Sequence, residues 1–213
     1  MPAKPEYGLN DLNHLMERVD QPQRDDLKKL IQLYVEHGKL EEIGAACFYH
    51  GSEIGGFVDH TVRVTKLLLE IRGTLAPDVS ESDCVLAGVL HDISKGGLPI
   101  KEGGEYRIIS RYELNPTFNP AREKGPYNKP FNYAKGQLDF QLATSAALIA
   151  GRFIPGIGLN VLQAICASDG PTVSRSYYHK ECPLALLLEY ADRWAMFLET
   201  QDQRPSFDGV KFA

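Results

Sequence analysis

A histidine and an aspartate stand side by side in the apolar run Val89-Leu90-His91-Asp92-Ile93. Neither side chain belongs in a buried stripe unless something there needs it. Neighbouring helix positions lie about 100° apart, so an imidazole and a carboxylate on consecutive residues can reach one point from adjacent edges of a face. A divalent metal is the usual reason to bring those groups together. Two further residues extend the set. His60 opens the preceding apolar helix, 31 residues earlier, and Asp192 interrupts the last one. A lone histidine on a buried face is more often a satisfied core residue; the doublet makes His60 a candidate ligand instead. Lys95, three residues beyond Asp92, lies one turn along the same side.

The elements that must position these residues follow from apolar spacing. Leu9, Leu12, Leu15, Met16 and Val19 mark a first amphipathic helix, and Leu27, Leu30, Ile31 and Tyr34 a second, ended by Gly38. His14 and His37 belong to these as surface or helix-end residues. Glycines 51, 55 and 56 predict a loop that delivers His60 into the first turn of a new helix, with Val64, Leu67, Leu68 and Ile71 on its inward side. His50, in that loop, is a candidate for lining the site. Ser80 with Asp83 predicts an N-cap, and Leu86, Val89, Leu90 and Ile93 line the helix that carries the doublet until Gly96-Gly97 stops it. Two more helices follow, patterned on Leu138, Leu142, Ala146 and Ile149, then on Leu159, Leu162 and Ile165. Pro183 opens the last, whose inward face reads Leu184, Leu188, Ala191, Asp192, Ala195 and Leu198. A carboxylate in that stripe is costly unless paired or metal-bound.

Residues 100–135 differ in kind. Helical periodicity stops, and Pro116, Pro120, Pro126 and Pro130 forbid long regular structure. A short β-hairpin is predicted in GGEYRIISRYEL. The segment holds seven Lys/Arg and four Glu, a net +3, against −8 for the remaining chain. It also carries six aromatics, Tyr106, Tyr112, Phe118, Tyr127, Phe131 and Tyr133. Long irregular segments in compact domains are usually functional or disordered. Cations among aromatics suit phosphate contact with base stacking. The expectation is a mobile flap over the site, with Arg107, Arg111 or Lys129 on phosphates and a tyrosine, Tyr133 among them, on the base. The bland alternative is a surface excursion that packs its aromatics on the helices.

The order His60, His91-Asp92, Asp192 resembles the HD superfamily of metal-dependent phosphohydrolases. The wording around it fits too: GGFVDHTVRV before the doublet, LAGVLHDISK at it and LALLLEYADRWA at the end. The resemblance runs from about residue 49 to 198. It implies an all-α, HD-domain-like helical bundle with one insert after the HD helix. It also implies that His60, His91, Asp92 and Asp192 bind one divalent ion, Mn²⁺, Fe²⁺, Co²⁺ or Zn²⁺, with Mg²⁺ also compatible. Such an ion polarises a phosphoryl oxygen and acidifies water, so hydrolysis of a phosphoester or phosphoanhydride is implied. Lys95 would neutralise charge on the phosphoryl oxygens. Arg193 is a second candidate for that role, with a surface ion pair as its alternative.

Departures from the family narrow this. Two-metal HD enzymes supply extra histidines between the doublet and the last aspartate, whereas this chain has only His179 there. The turn that carries a histidine in related sequences reads Ala167-Ser168-Asp169-Gly170. Asp169 is a helix-end turn residue, or a substitute ligand or proton shuttle. A mononuclear site is expected. The resemblance implies a nucleotide substrate, a nucleoside mono- or triphosphate, with mild support from the insert. FYHGSEIGGFVDH also resembles the entry to the metal helix of HD exoribonucleases, so a 3′-exonuclease on single-stranded nucleic acid is the alternative. A catalytically silent regulatory domain is the third reading.

Composition sets the outer bounds. With 213 residues, one domain is expected, comprising N-terminal helices at 1–45, an HD core at 46–199 and a tail at 200–213. The net charge of −5 opposes a broadly basic nucleic-acid surface. No apolar run reaches the roughly 20 residues of a membrane span. Residues 1–10 lack the apolar core of a signal peptide, and the four scattered cysteines suit reduced thiols. A cytoplasmic location is the expectation.

Overall fold

The computed structural model describes residues 5–38, 40–46, 50–122, 127–134, 141–168 and 181–200. Among these, seven α-helices and two small antiparallel sheets form an HD-like helical fold with a β insert. The helices are α1 (Leu9–Met16), α2 (Gln23–Leu33), α3 (Gly56–Leu75), α4 (Glu81–Leu90), α5 (Leu142–Phe153), α6 (Leu159–Ala167) and α7 (Pro183–Glu199). A π-helical turn, Tyr34–Gly38, extends α2. No helix of the described residues is long and apolar enough to cross a membrane.

Helix α3 is the axis of the bundle, packed by α1, α4 and α7, while α6 closes the far side against α4, α5 and α7. Its buried face carries Val64 and Leu68, which meet Leu86 and Leu90 of α4 and Leu188 and Ala195 of α7 in one continuous core. The start of α4 is fixed as its sequence predicts: the Ser80 hydroxyl accepts from the Asp83 amide at 3.3 Å. Gly88 lets α3 and α4 approach closely, since a Cβ there would lie 2.5 Å from Thr65 Oγ1 and 3.0 Å from Thr65 Cα. That approach brings His60 and His91 level with each other.

Two helix ends differ from expectation. Helix α3 begins at Gly56, so His60 is in its second turn and not its first. Helix α4 ends at Leu90, so the doublet follows the helix instead of lying within it. Asp92 leaves helical geometry at φ −111°, ψ 7°, and Ile93–Gly96 wind into a 3₁₀ turn. Side chains at i and i+3 eclipse in a 3₁₀ turn, which sets Lys95 above Asp92. The Ser94 hydroxyl donates to the Leu142 carbonyl at 2.8 Å and ties this turn to α5.

The insert is more regular than its prolines suggest. Strand β1 (Leu98–Glu102) pairs with β2 (Glu105–Ile109) around Gly103-Gly104, so the hairpin's first strand precedes the glycines. Strand β3 (Tyr112–Leu114) then pairs with β4 (Phe131–Tyr133) in a separate sheet. The two sheets lean on different parts of the bundle. Tyr106 of β2 packs at a tilt against Phe153 of α5, ring centroids 5.0 Å apart, and Gly97 at the foot of β1 accepts a 2.8 Å bond from the Tyr34 hydroxyl. Phe131 of β4 instead packs beside Gly44, close to Gly51 and Ser52.

Candidate metal centre

Four side chains meet between α3, the end of α4 and α7. His60 Nε2 lies 3.1 Å from Asp192 Oδ1 and 3.7 Å from Asp92 Oδ2. His91 Nε2 lies 3.4 Å from Asp92 Oδ2 and 3.9 Å from Asp192 Oδ1. Both histidines and Asp92 are buried, and the Asp192 side chain is 15% exposed, which leaves one side open. Ligand atoms about 2.0–2.2 Å from one ion are themselves roughly 3–3.5 Å apart; the separations here run from 3.1 to 3.9 Å, and the ligand atoms of His60, His91 and Asp192 all lie within 4.8 Å of one another.

The ring nitrogens point to the same conclusion. His91 Nδ1 donates to the Gly88 carbonyl at 2.7 Å. His60 Nδ1 lies 2.9 Å from Glu199 Oε1. With both Nδ1 atoms so engaged, both Nε2 lone pairs face the carboxylates of Asp92 and Asp192. Neither Nε2 has a hydrogen-bond partner among the described residues, although each is buried. Opposed lone pairs in a buried site need a cation between them, and this donor set fits a divalent one.

The charges agree. Burial pushes the His60 pKa down, but Glu199 first and then Asp192 outweigh it and raise it to about 10. Burial would raise the carboxyl pKa of Asp92, yet Lys95 and His91 hold it well below the usual range. Asp192 is likewise lowered against burial, through its contact with His60. The pocket thus favours positive charge, and a proton and a metal compete for it. The Lys95 ammonium forms an ion pair with Asp92 Oδ2 while only 11% of its side chain is exposed. A cation so near the cluster is placed to meet an anionic group that enters it.

A family model for the HD domain matches residues 57–196. The chain belongs to the HD-domain family. This makes it a member of a superfamily of metal-dependent phosphohydrolases, whose domains bind divalent metals. No curated protein and no solved structure matches the chain. The HD match covers α3 through most of α7 and contains His60, His91, Asp92, Lys95 and Asp192.

Two residues just outside the match join the site. His50 stacks obliquely on His60, ring centroids 5.0 Å apart, and burial, then the charges of His60 and Lys95, lower its pKa to about 3. Glu199, with His50 and His60, forms a second group of facing ligand atoms, all within 4.8 Å of one another. Sequence reasoning overlooked Glu199, although a signal exists: it follows Asp192 by seven residues, two turns along one helix face.

Other expected participants sit on α7 and in the insert. Arg193 is exposed and pairs with Glu189 at 2.5 Å, one turn back on α7. Arg107 is exposed on β2 and pairs with Glu102 across the hairpin at 2.7 Å. Arg111 and Lys129 flank the β3–β4 sheet, where Tyr133 is 59% exposed and packs on Tyr112. The structure therefore divides the expected single flap between two sheets. Asp169, Tyr177, Tyr178, His179 and the tail beyond Thr200 lie outside the described residues.

Proposed function

We propose that this HD-domain protein hydrolyses a phosphoester or phosphoanhydride bond of a nucleotide, a nucleoside mono- or triphosphate. The observation that carries the reading is the pair of buried, partnerless Nε2 atoms facing two carboxylates, with Lys95 beside them. His60, His91, Asp92 and Asp192 would hold one divalent ion. When bound, the ion supplies a Lewis acid that polarises a phosphoryl oxygen and lowers the pKa of water. The protein's own residues do the rest. Asp92 holds the Lys95 ammonium at the edge of the cluster, where it offsets negative charge that builds up on the phosphoryl group. Helix α3 and the core around it exclude water from the closed side, which strengthens these charges.

The nucleotide part of the proposal rests on the insert. Its net +3 charge contrasts with −8 elsewhere, and β4 abuts the loop that bears His50. Arg111 adjoins Tyr112, the strand partner of Tyr133, and Lys129 lies at the opposite end of the same sheet, so the sheet offers a ring for a base and cations for phosphates. The test is to incubate protein loaded with Mn²⁺ or Co²⁺ with nucleoside mono- and triphosphates and labelled oligonucleotides. Loss of one or more nucleotides with oligonucleotides intact is the expected result. Shortening of oligonucleotides alone would replace this reading with the exonuclease one. No turnover of either class by metal-loaded protein would remove the catalytic reading.

A further inference from the structure

The two histidines of the centre solve the same problem in different ways. A metal-ligating imidazole needs its second nitrogen held, because that bond sets the tautomer and the ring's orientation. His91 follows the last residue of α4, where helix carbonyls lack helical partners, and its Nδ1 uses one of them, that of Gly88. His60 lies inside α3, where the carbonyls are committed to the helix. A side chain has to do the work there, and Glu199 is the one in place.

We infer that Glu199 is the positioning residue of the metal centre, fixing which nitrogen of His60 faces the ion, and that Arg63 in turn fixes Glu199. The inference rests on the metal reading above. Both Glu199 oxygens approach His60 Nδ1, at 2.9 and 3.2 Å, and its side chain is only 6% exposed. Arg63, one turn after His60 on α3, lies with Nε 3.5 Å from Glu199 Oε1. Arg63 is itself braced, with Nη2 3.1 Å from both Asp59 and Glu6. Asp59 accepts from the amides of Glu6 and Tyr7 at 2.7 and 2.8 Å, so the chain of contacts reaches the N-terminal segment. Gly51 closes the other side, where a Cβ would lie 3.6 Å from Glu199 Oε2. Helix α7 thus supplies a ligand, Asp192, and the orienter of another ligand, two turns apart.

Co²⁺ titration of the metal-free full chain, with NMR of the His60 imidazole, tests this. Glu199→Ala should weaken Co²⁺ binding about 10- to 100-fold and abolish the downfield Nδ1–H resonance of His60. Glu199→Gln keeps an acceptor oxygen, so the resonance should persist and the loss of affinity should be smaller. Arg63→Met should weaken binding less than Glu199→Ala. A variant that merely loosened the fold would not show this rescue by glutamine. Unchanged Co²⁺ affinity in Glu199→Ala while wild type binds normally would overturn the inference alone. So would two Co²⁺ ions per wild-type chain with one lost in Glu199→Ala, since Glu199 would then be a ligand with His50. Failure of wild type to bind Co²⁺ would overturn the metal reading, and this inference with it.

Discussion

The metal cluster and the insert sit in one chain but are held by different kinds of structure. His60 and Asp192 come from α3 and α7, and His91 from the residue that ends α4, their spacing set by the core and by Gly88 packed against Thr65. Arg107 and Tyr133 come from two short sheets placed by strand pairing and a few aromatic contacts, and Arg111 and Lys129 flank the second of them. The first arrangement fixes donor atoms to within fractions of an ångström because a packed core deforms little. The second offers groups at a surface, where rotamers and solvent share the outcome. Chemistry that needs preorganised charge belongs to the first, and selection of a substrate suits the second.

The contrast can be broken from either side, and the largest effect is expected at Lys95. Lys95→Ala should lower kcat by about 100-fold or more while metal content stays at the wild-type level, as for loss of one preorganised donor. Steady-state kinetics with elemental analysis checks both, and near-normal kcat would return Lys95 to a structural partner of Asp92. Gly88→Ala comes next. Its new Cβ would crowd Thr65, so the variant should lose about 1–3 kcal/mol of stability in denaturant titrations. Wild-type stability and activity there would show that the α3–α4 spacing does not govern the cluster. The insert should give the smallest changes. Tyr133→Ala should raise KM a few-fold at constant kcat, whereas Arg107→Ala, tied to Glu102 on the other sheet, should leave KM within error. The reverse order would mean that the β1–β2 sheet carries the substrate.

The same contrast explains what the sequence revealed. Helix periodicity and the Ser80 cap located α3, α4 and α7, because a face repeats along one segment and needs no partner to be recognised. The quartet stood out because charged groups in apolar stripes break that repeat. The end of α4 at Leu90 was hidden, since the apolar pattern runs on through Ile93 into a 3₁₀ turn that shares much of the same spacing. The second sheet was hidden too. Tyr112–Leu114 pairs with Phe131–Tyr133 across many intervening residues, and register between distant strands is not written in either strand alone. Glu199 was passed over because an acid near a helix end is ordinary on its own; only the position of His60 Nδ1 gives it a purpose.

In the proposed centre, two histidines and two carboxylates act as one cation-binding unit. Its most direct test is the metal content of wild type, His91→Ala and Asp192→Ala after identical loading with Mn²⁺ or Co²⁺, with far-UV circular dichroism to confirm intact helices. About one ion per wild-type chain is expected, with a large loss in both folded variants, because each removes a donor from a shared site. Undiminished metal in both variants at equal loading would contradict it.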